Sequence, residues 1–569
     1  MPSVSSQWST LIDVVEHQSC MSPNATAFIF LEDGQTETDR LTFANLSLRA
    51  KAVAAGLLCR GIRPGDRVML LFPSGLGFIE AFLGCVFAGA IAVPVYPPRS
   101  HHDFPIVARI LNDCAARALL STSALLSLFG QQSSQIVLRE RVRLVAIDDL
   151  TDDTSRSWTH PGIDSETIAF LQYTSGSTGH PKGVTISHKN IIANQEMIKR
   201  ACNNDGNSTF VGWLPLYHDM GLIGNILQPL YLGSLSVLMS PQAFLRRPIR
   251  WLSAITQYRA HTSGGPNFCY DLCLRKINAD DSVHLDLSSW KVAFNGAEPV
   301  RPATLQRFAD RFSDFGFNKS SFYPCYGLAE GTLFVTGNRV GETYGTVCLS
   351  QQQLLSNRRS PPTSTADEIS LVACGRPWLG LDLAILTNAV EHDVGEICIN
   401  GPNVTAGYWG DTDYNSNAFV LIKEKRYLRT GDLGFVQDGQ LVITGRLKDV
   451  LIIRGKTHYP QDIEDSAQST SHYIRPGRQV AFSLPSFDDN SLVLLAECSD
   501  DMSPTLYEST CRHIRNAVAE NHGVSLARIV LLRPHSLPTT TSGKLRRAES
   551  KAMYLEGRFV STESNLYQS

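Results

Sequence analysis

YTSGSTGHPKGV, residues 173–184, is the most specific segment of the chain, and it directly follows the strand-like segment TIAFLQ. Its closely spaced glycines permit backbone conformations in which successive N–H groups converge on an anion, and its hydroxyls supply further donors. A lysine near its end adds positive charge. We interpret the loop as a cradle for a triphosphate. The residues that we assign to nucleotide binding in it are Thr174, Ser175, Gly176, Ser177, Thr178, Gly179 and Lys182.

This loop differs from the Walker form of phosphate loop. The GxxxxGK[ST] spacing does not fit between Gly176 and Gly183, and no Ser or Thr follows Lys182. The P-loop fold is therefore not implied. Taken alone, a Ser/Gly/Thr-rich string is more often a flexible loop than a phosphate site. The assignment therefore depends on the rest of the chain.

Helix and strand patterns alternate on both sides of the loop. Within residues 42–61, four apolar residues fall on one helical face, Gly61 suits the position after the helix, and RVMLLF follows as a buried strand. The pattern returns at FIEAFLGCVFAG and AIAVPV, and again at IRWLSAITQYR and the apolar patch at 290–294. Such alternation predicts an α/β fold with parallel strands joined by crossover helices. The four apolar residues are Leu46, Ala50, Val53 and Leu57.

The chain is too long, at 569 residues, for one ordinary hydrophobic core. Around Gly431 the pattern changes to short strands and turns, and after Pro460 it becomes that of a small α+β unit. We predict a large N-terminal body, residues 1–446, with an insertion at about 341–370. We predict a small mobile C-terminal domain, residues 447–569, which we call the lid, with a hinge at Lys448.

Composition narrows the class of protein. Lys and Arg total 51 and Asp and Glu total 54, so no excess of positive charge favours a nucleic-acid partner. The N-terminus lacks the features of a signal peptide. The longest apolar run, residues 76–95, is broken by Gly84, Gly89 and Pro94 and carries Glu80, so we expect no membrane insertion. Thirteen scattered cysteines without CxxC pairs indicate reduced thiols and the cytoplasm.

Four further motifs give the phosphate loop its context. They are YGLAE at 326–330, RTGD at 429–432, GRLKD at 445–449 and SGK at 542–544. In this order they resemble the signature motifs of the adenylate-forming superfamily, which includes acyl-CoA synthetases, nonribosomal adenylation domains and luciferases. The resemblance extends over nearly the whole chain. It implies two half-reactions that use ATP and Mg²⁺.

The resemblance also implies a role for individual residues. A carboxylate that attacks the α-phosphate of ATP needs positive charge in the transition state, and Lys544 is the candidate that supplies it. The alternative is an ordinary solvated lysine near Arg546 and Arg547. Glu330, with Thr178 nearby, is the candidate ligand of Mg²⁺, a cation that favours carboxylate oxygen. Its alternative is a glutamate at a helix N-terminus.

The remaining nucleotide contacts follow from the same resemblance. Asp432 is expected to accept both ribose hydroxyls and Arg446 to donate to the ribose, although a surface turn would also suit an aspartate. Tyr326 offers a flat face to adenine. Two positions depart from the family pattern, since Ala329 replaces the usual Thr and Thr539 replaces the usual Lys. The other residues expected around the nucleotide are Gly296, Ala297, Glu298 and Gly327.

Several strings resemble one branch of the superfamily, the fatty acyl-AMP ligases. They are VYPPR at 95–99, WLPLYHDMGL at 213–222, FNGAEPV at 294–300 and HYPQDIE at 458–464. This branch carries an insertion after the YGxTE-like motif. In this chain the segment 337–373, which follows that motif, is also long and polar. The resemblance implies that the insertion keeps the lid from the CoA-using pose. The acyl group would then go to the phosphopantetheine arm of an acyl carrier protein, a separate chain.

The sequence identifies the fatty-acid pocket less clearly than the nucleotide site. His218 and Asp219 stand where the family places the wall or gate of the acyl pocket, but a buried His bonded to a carbonyl is an equal alternative. The apolar stretches 222–238 and 268–274 fit either an alkyl tunnel or the core. Two rival functions remain open: an acyl-CoA synthetase, and a catalytically degenerate protein that binds acyl ligands.

Overall fold

The structure is a computed structural model. It describes residues 7–98, 103–132, 142–150, 152–174, 181–278, 284–387, 393–453, 456–484, 492–499, 504–539 and 545–559. Residues 175–180 of the phosphate loop and Lys544 lie outside the described residues.

The strands and helices alternate through the first two thirds of the chain. In chain order the strands are β1 Thr26–Leu31, β2 Glu37–Thr42, β3 Arg67–Leu71, β4 Ile91–Val95, β5 Ala118–Ser121, β6 Arg143–Ala146, β7 Ile168–Thr174, β8 Lys182–Ser187, β9 Phe210–Gly212, β10 Ser236–Met239, β11 Thr262–Gly265, β12 Val292–Asn295, β13 Phe322–Gly327, β14 Phe334–Gly337, β15 Thr346–Ser350, β16 Glu368–Val372, β17 Arg376–Pro377, β18 Asp382–Leu386, β19 Gly395–Asn400, β20 Phe419–Ile422, β21 Lys425–Gln437, β22 Gln440–Arg446, β23 Leu451–Ile453, β24 Lys456–His458, β25 Ile474–Ser483, β26 Leu492–Cys498 and β27 Arg528–Leu532.

The helices are α1 Leu11–Met21, α2 Phe43–Cys59, α3 Leu76–Phe87, α4 Phe104–Asp113, α5 Ser123–Gln132, α6 His188–Ala201, α7 Gln228–Leu232, α8 Pro241–Arg246, α9 Ile249–Gln257, α10 Asn267–Lys276, α11 Pro302–Phe312, α12 Gln351–Leu354, α13 Thr412–Ala418, α14 Pro460–Ser469, α15 Pro504–His522 and α16 Arg547–Leu555.

Helix α2 shows how local sequence sets these elements. Thr42 caps its N-terminus by accepting a hydrogen bond from Asn45 N at 3.2 Å. Its predicted apolar face is fully buried, and Gly61 follows its end with φ +77°. Val53 lies so close to α3 that a Cβ at Gly84 would stand 2.2 Å from its Cγ1. The predicted helix and the buried strand after it are confirmed.

Two large sheets form the body. The first has the order β6-β5-β3-β4-β7-β8 and is parallel except for β8. The second has the order β17-β14-β13-β12-β11-β9-β10-β1-β2 and is parallel from β13 to β1, with antiparallel strands at its ends. Connecting helices cover these sheets and bury the main core between them. The predicted α/β class is confirmed.

A third, antiparallel sheet follows, in the order β18-β19-β21-β20 with β22 paired to β21. We predicted only short strands around Gly431, and this was wrong for β21, which has 13 residues. The strand continues because a register shift between Leu433 and Gly434 lets it bend without ending.

The chain after β22 has its own core. Strands β25, β26 and β27 form one sheet, and α14 and α15 pack against it through residues such as Ile463, Ile514 and Leu494. The insertion is also structured, since β15 and β16 form an antiparallel hairpin that pairs Thr346 with Val372. Among the described residues, no helix is both long enough and apolar enough to cross a bilayer.

The lid contacts the body and its insertion at several points. Arg301 of α11 forms an ion pair with Asp465 of α14. Two polar contacts among the described residues join the insertion to the lid. Thr457 N donates to the Leu355 carbonyl at 2.7 Å, and the Gln351 side-chain nitrogen lies 3.3 Å from His522 Nδ1. These contacts join the lid to the body and to the insertion.

Candidate active site

The phosphate loop is held at its base by a β-hairpin. Strands β7 and β8 pair antiparallel, and Thr174 stands opposite Lys182 in their register. Thr174 and Lys182, the two predicted nucleotide-binding residues that flank the loop, therefore lie at the same edge of the first sheet. Lys182 Nζ is 2.8 Å from the centroid of the Tyr414 ring and 3.7 Å from Asp411 Oδ2. Burial lowers the pKa of Lys182, and Asp411 opposes that effect.

Asp432 is a buried carboxylate with two strong partners. Tyr326 Oη donates to its Oδ2 at 2.6 Å, and Arg446 Nε donates to its Oδ1 at 2.8 Å. The β21–β22 register places Asp432 opposite Arg446, so this pairing is set by the sheet itself. Asp432 raises the pKa of Arg446, and burial raises the pKa of Tyr326. Asp432 is therefore not a surface turn residue, since it is only 5 % exposed.

The turn before Asp432 is fixed by a buried glutamate. Glu396 accepts from Arg429 Nε at 2.8 Å and from Gly431 N at 3.1 Å. Gly431 has φ +72°, a conformation that favours glycine. The RTGD motif thus owes its shape to a strand residue that lies outside the motif.

Glu330 lies in a short 3₁₀ turn, Ala329–Gly331, directly after β13. Tyr408 Oη donates to its Oε1 at 2.8 Å. Burial raises the pKa of Glu330, while the bond from Tyr408 acts in the opposite direction. Within the described residues, no group of three acidic, His or Cys side chains forms a metal cage. A single oriented carboxylate fits Mg²⁺, which binds one or two carboxylates together with phosphate oxygens.

The residues that we expect around adenine also have structural roles, because they allow close backbone packing or bond to a neighbouring helix. A Cβ at Gly296 would stand 2.7 Å from the Cys325 carbonyl oxygen, and one at Gly327 would stand 2.0 Å from that of Leu333. Both glycines are therefore required by the neighbouring backbone. Ala297 has φ +67°. Glu298 Oε1 accepts from Phe268 N at 2.6 Å and so binds the N-terminus of α10.

His218 and Asp219 lie next to each other at the start of a π-helical segment, Met220–Leu227. Asp219 Oδ1 accepts from Met220 N at 2.7 Å and also contacts His218 Nδ1. The partner of His218 is thus a carboxylate and not the carbonyl that we considered. The His218 side chain is about one third exposed (34 %). Leu222, in contrast, is fully buried in the main core.

Lys448 follows β22 in a tight turn, in which Asp449 N donates to the Arg446 carbonyl at 3.0 Å. Burial lowers the pKa of Lys448, and the charge of Arg446 adds to this effect. The junction between the third sheet and the lid therefore carries two cations close to Asp432.

Sequence reasoning missed the segment that organises this site. Tyr408, Asp411 and Tyr414 come from GYWGDTDY, residues 407–414, and the rings of Tyr408 and Tyr414 meet edge to face at 4.8 Å. The ring of Tyr414 contacts Lys182, and the hydroxyl of Tyr408 donates to Glu330. The dense run of aromatic residues and glycines was the signal that could have identified it.

Comparison with known proteins gives the family. Residues 15–409 match the family model for the AMP-binding enzyme, and residues 448–564 match the Disco-interacting protein 2-like AMP domain. The medium-chain-fatty-acid–[acyl-carrier-protein] ligase JamA of Moorena producens is 37 % identical, over 98 % of this chain and 97 % of its own length. The long-chain-fatty-acid–AMP ligase FadD32 of Mycolicibacterium smegmatis is 35 % identical, over 96 % of this chain and 95 % of its own length.

Solved structures agree with this match. The crystal structure of a fatty acid AMP ligase from Legionella pneumophila has a TM-score of 0.75 and 39 % identity, with 97 % of each chain covered. A fatty acyl-adenylate ligase structure from a study of the E. coli and L. pneumophila enzymes has a TM-score of 0.86 and 32 % identity. It covers 98 % of this chain and 100 % of that one. The chain therefore belongs to the AMP-binding, adenylate-forming enzymes, and within them to the fatty acyl-AMP ligases.

Proposed function

We propose that this chain activates a fatty acid with ATP and then passes the acyl group to the phosphopantetheine thiol of a separate acyl carrier protein. In the first step a carboxylate oxygen bonds to the α-phosphorus and pyrophosphate leaves. In the second step the thiol sulfur bonds to the acyl carbon, AMP leaves and the thiol proton is released. The names of the relatives, a fatty-acid–[acyl-carrier-protein] ligase and a fatty-acid–AMP ligase, support both steps.

The observation that carries the proposal is the buried group Tyr326–Asp432–Arg446. Each oxygen of Asp432 accepts one bond within the protein and keeps a second lone pair. Two adjacent ribose hydroxyls can therefore donate to this carboxylate, while Arg446 donates to the ribose edge. The ring of Tyr326, fixed by the same bond, offers its face to adenine. Four further residues shape the protein around the proposed nucleotide site through the conformations and contacts described above. They are Gly296, Ala297, Glu298 and Gly327.

We assign Mg²⁺ to Glu330, with Thr178 and the triphosphate oxygens as its other ligands. The bound ion would neutralise charge on the phosphates as pyrophosphate leaves. Tyr408 orients the carboxylate, and Lys182 adds positive charge beside the loop residues 174–179. Lys544 is proposed as the cation that acts on the charge developing during transfer, on the basis of its SGK motif.

We place the fatty-acid carboxylate beside His218 and Asp219. The contact between the two side chains orients the His218 ring, which is about one third exposed. Leu222 and its neighbours belong to the core. All 13 cysteines are free thiols, nine of them buried, which supports a reducing compartment, for which we propose the cytoplasm.

The contacts of the insertion support a carrier protein over free CoA as acceptor. Gln351 and Leu355 contact the lid, and Leu349 and Leu354 share a hydrophobic cluster with Tyr459 at the start of the lid. A lid held in this way would reach the thiol-transfer pose rarely. A carrier protein can supply extra binding energy to that pose, whereas free CoA has less surface with which to do so. We propose that the lid turns about Lys448 between the two steps.

The test is product analysis with ATP, Mg²⁺ and fatty acids of several chain lengths. Acyl-AMP and pyrophosphate should form with fatty acid alone. Acyl-thioester should form with a phosphopantetheinylated carrier protein and hardly at all with CoA. Abundant acyl-CoA would support the acyl-CoA synthetase alternative. Nucleotide binding without any pyrophosphate release would indicate the degenerate binding protein.

A further inference from the structure

Two fully buried asparagines bind the same pair of backbone carbonyls in the turn that follows Glu330. Asn194 of α6 donates through Nδ2 to the Gly331 carbonyl at 3.3 Å and to the Phe334 carbonyl at 2.9 Å. Asn403 donates through Nδ2 to the same two carbonyls, at 2.9 and 3.0 Å. A carbonyl oxygen has two lone pairs, so each of the two oxygens can accept one bond from each amide. The turn is therefore held from both sides by side-chain amides.

The backbone of this turn needs such support. Thr332 has φ +65° and ψ −51°, a conformation that is strained for a β-branched residue. Its hydroxyl donates to the Asn403 carbonyl at 2.6 Å. Phe334 N donates to Asn194 Oδ1 at 3.2 Å. The two asparagines thus restrain a shape that the turn would not keep without its neighbours.

The amide of Asn403 serves the turn through its nitrogen. Among the described residues, Asn403 Oδ1 is buried and has no hydrogen-bond partner. A buried acceptor without a partner is unfavourable, so this oxygen does not explain the presence of an amide here. The two bonds from Nδ2 to the turn do.

The segment 402–409, to which the second asparagine belongs, restrains Glu330 in two further ways. Thr405 N donates to the Glu330 carbonyl at 2.8 Å, and Tyr408 Oη donates to its carboxylate, also at 2.8 Å. The segment also pairs with β8, the strand that leaves the phosphate loop, through a bridge between Val184 and Tyr408. One segment therefore links the backbone and the carboxylate of Glu330 to the strand beside that loop.

We propose that Asn194 and Asn403 are positioning residues that fix the turn after Glu330 and so preorient its carboxylate as a ligand of the Mg²⁺ that accompanies ATP. The inference rests on the proposed function, because it assumes that Glu330 binds this ion. Each asparagine bonds both carbonyls, so either one can partly hold the turn when the other is lost. The loss should appear in the part of ATP binding that depends on Mg²⁺, since Asp432, which we assign to the ribose, lies on β21.

The experiment measures the affinity for ATP by calorimetry, without fatty acid, once in EDTA and once in Mg²⁺. The ratio of the two affinities is the gain that the ion supplies. In Asn194→Ala and in Asn403→Ala this gain should fall roughly 3- to 10-fold, the loss expected for one or two hydrogen bonds. The affinity in EDTA should stay within about twofold of wild type, because its contacts lie elsewhere. The double variant should lose more than the product of the single losses.

The same titration separates positioning from a purely structural role. A variant that only unfolds more easily lowers the stoichiometry of binding and leaves the gain of the folded fraction unchanged. Asn400→Ala is the matched control, since Asn400 donates to the Arg426 carbonyl at 2.8 Å in the third sheet, and it should keep the full gain. Glu330→Gln should lose the gain.

Two variants of the turn test the inference with both asparagines in place. Thr332→Val removes the hydroxyl that donates to the Asn403 carbonyl, and Thr332→Ser retains it. The gain from Mg²⁺ should fall in the first variant and stay near wild type in the second. This pair decides the matter if neither asparagine variant folds.

A full gain in folded Asn194→Ala and Asn403→Ala, together with a lost gain in Glu330→Gln, would overturn the inference alone. Equal gains in the two Thr332 variants would do the same. A full gain in Glu330→Gln would instead overturn the Mg²⁺ assignment of the proposed function, and the inference with it.

Discussion

Tyr408 Oη donates a hydrogen bond to Glu330 Oε1 at 2.8 Å across 78 residues of chain. This bond and the burial of the carboxylate act in opposite directions on the pKa of Glu330. The tyrosine therefore helps to keep the carboxylate ionised and fixes its orientation, both of which a cation ligand needs.

Tyr408→Phe should raise the Mg²⁺ concentration needed for half-maximal pyrophosphate release by about 10-fold, in the range typical of residues that orient a metal ligand. Tyr427→Phe is the control, because Tyr427 bonds to Asp382 at 2.7 Å in the third sheet. Titration of both variants with Mg²⁺ checks this expectation. The same Mg²⁺ dependence in Tyr408→Phe and wild type would contradict it.

Asp432→Asn should weaken ATP binding by roughly 10- to 100-fold, because hydrogen bonds to a charged acceptor contribute about 1.5–3 kcal/mol each. Asp438→Asn makes the same chemical change at the exposed turn of the same hairpin and should leave the affinity unchanged. Calorimetric titration with ATP measures both. If Asp432→Asn bound ATP like wild type, the ribose assignment would fail.

Deletion of residues 341–370, closed by a short Gly/Ser linker, should permit acyl-CoA formation while acyl-AMP formation persists. A bias of about 2–3 kcal/mol would keep the thiol-transfer pose near one per cent in the intact protein. Gln351→Ala should produce part of the effect because Gln351 contacts His522. Gln352→Ala, its neighbour, is the control. Thioester yield with free CoA, by mass spectrometry, is the measurement, and no gain in the deleted protein would indicate an inert loop.

Asp462 gives a prediction for stability. Burial, with help from the neighbouring charges of Asp465 and Glu464, raises its pKa to about 7. The folded state then holds a proton that the unfolded state has lost above about pH 4. The contribution of Asp462 to the free energy of unfolding is therefore largest at low pH and falls as the pH rises toward 7.

Asp462→Asn should consequently raise the melting temperature at pH 8 and change it little at pH 4. Scanning calorimetry at the two pH values checks this, with Asp438→Asn as a control that should show no such difference. A lower melting temperature for Asp462→Asn at pH 8 would mean that the folded lid favours the charged carboxylate.

The sequence predicted what depends on local pattern. The apolar face of α2, the glycine after it and the strand before the phosphate loop are each set by a few adjacent residues, and each is where the pattern placed it. The sequence also identified the glycines of the motifs, but the structure gives a different physical reason for them. Gly296 and Gly327 are needed because neighbouring carbonyl oxygens occupy the space of a Cβ, and this packing is not visible in the sequence.

Long-range partners could not be predicted. Glu396 shapes the RTGD turn from another strand, and Tyr408 reaches Glu330 from a segment that no motif named. Each contact joins residues that only the sheet topology brings together. For the same reason the polar composition of the insertion did not predict that β15 and β16 pair within it.

The pairing of Thr174 with Lys182 has a thermodynamic consequence for nucleotide binding. A loop whose ends are free must lose end-to-end freedom when it wraps an anion, and this entropy opposes binding. Here the two ends are already held at the spacing of adjacent strands, so that loss occurs when the protein folds. If this loop binds ATP, the ligand does not have to bring the ends of the loop together, so a larger share of each phosphate contact remains available as affinity.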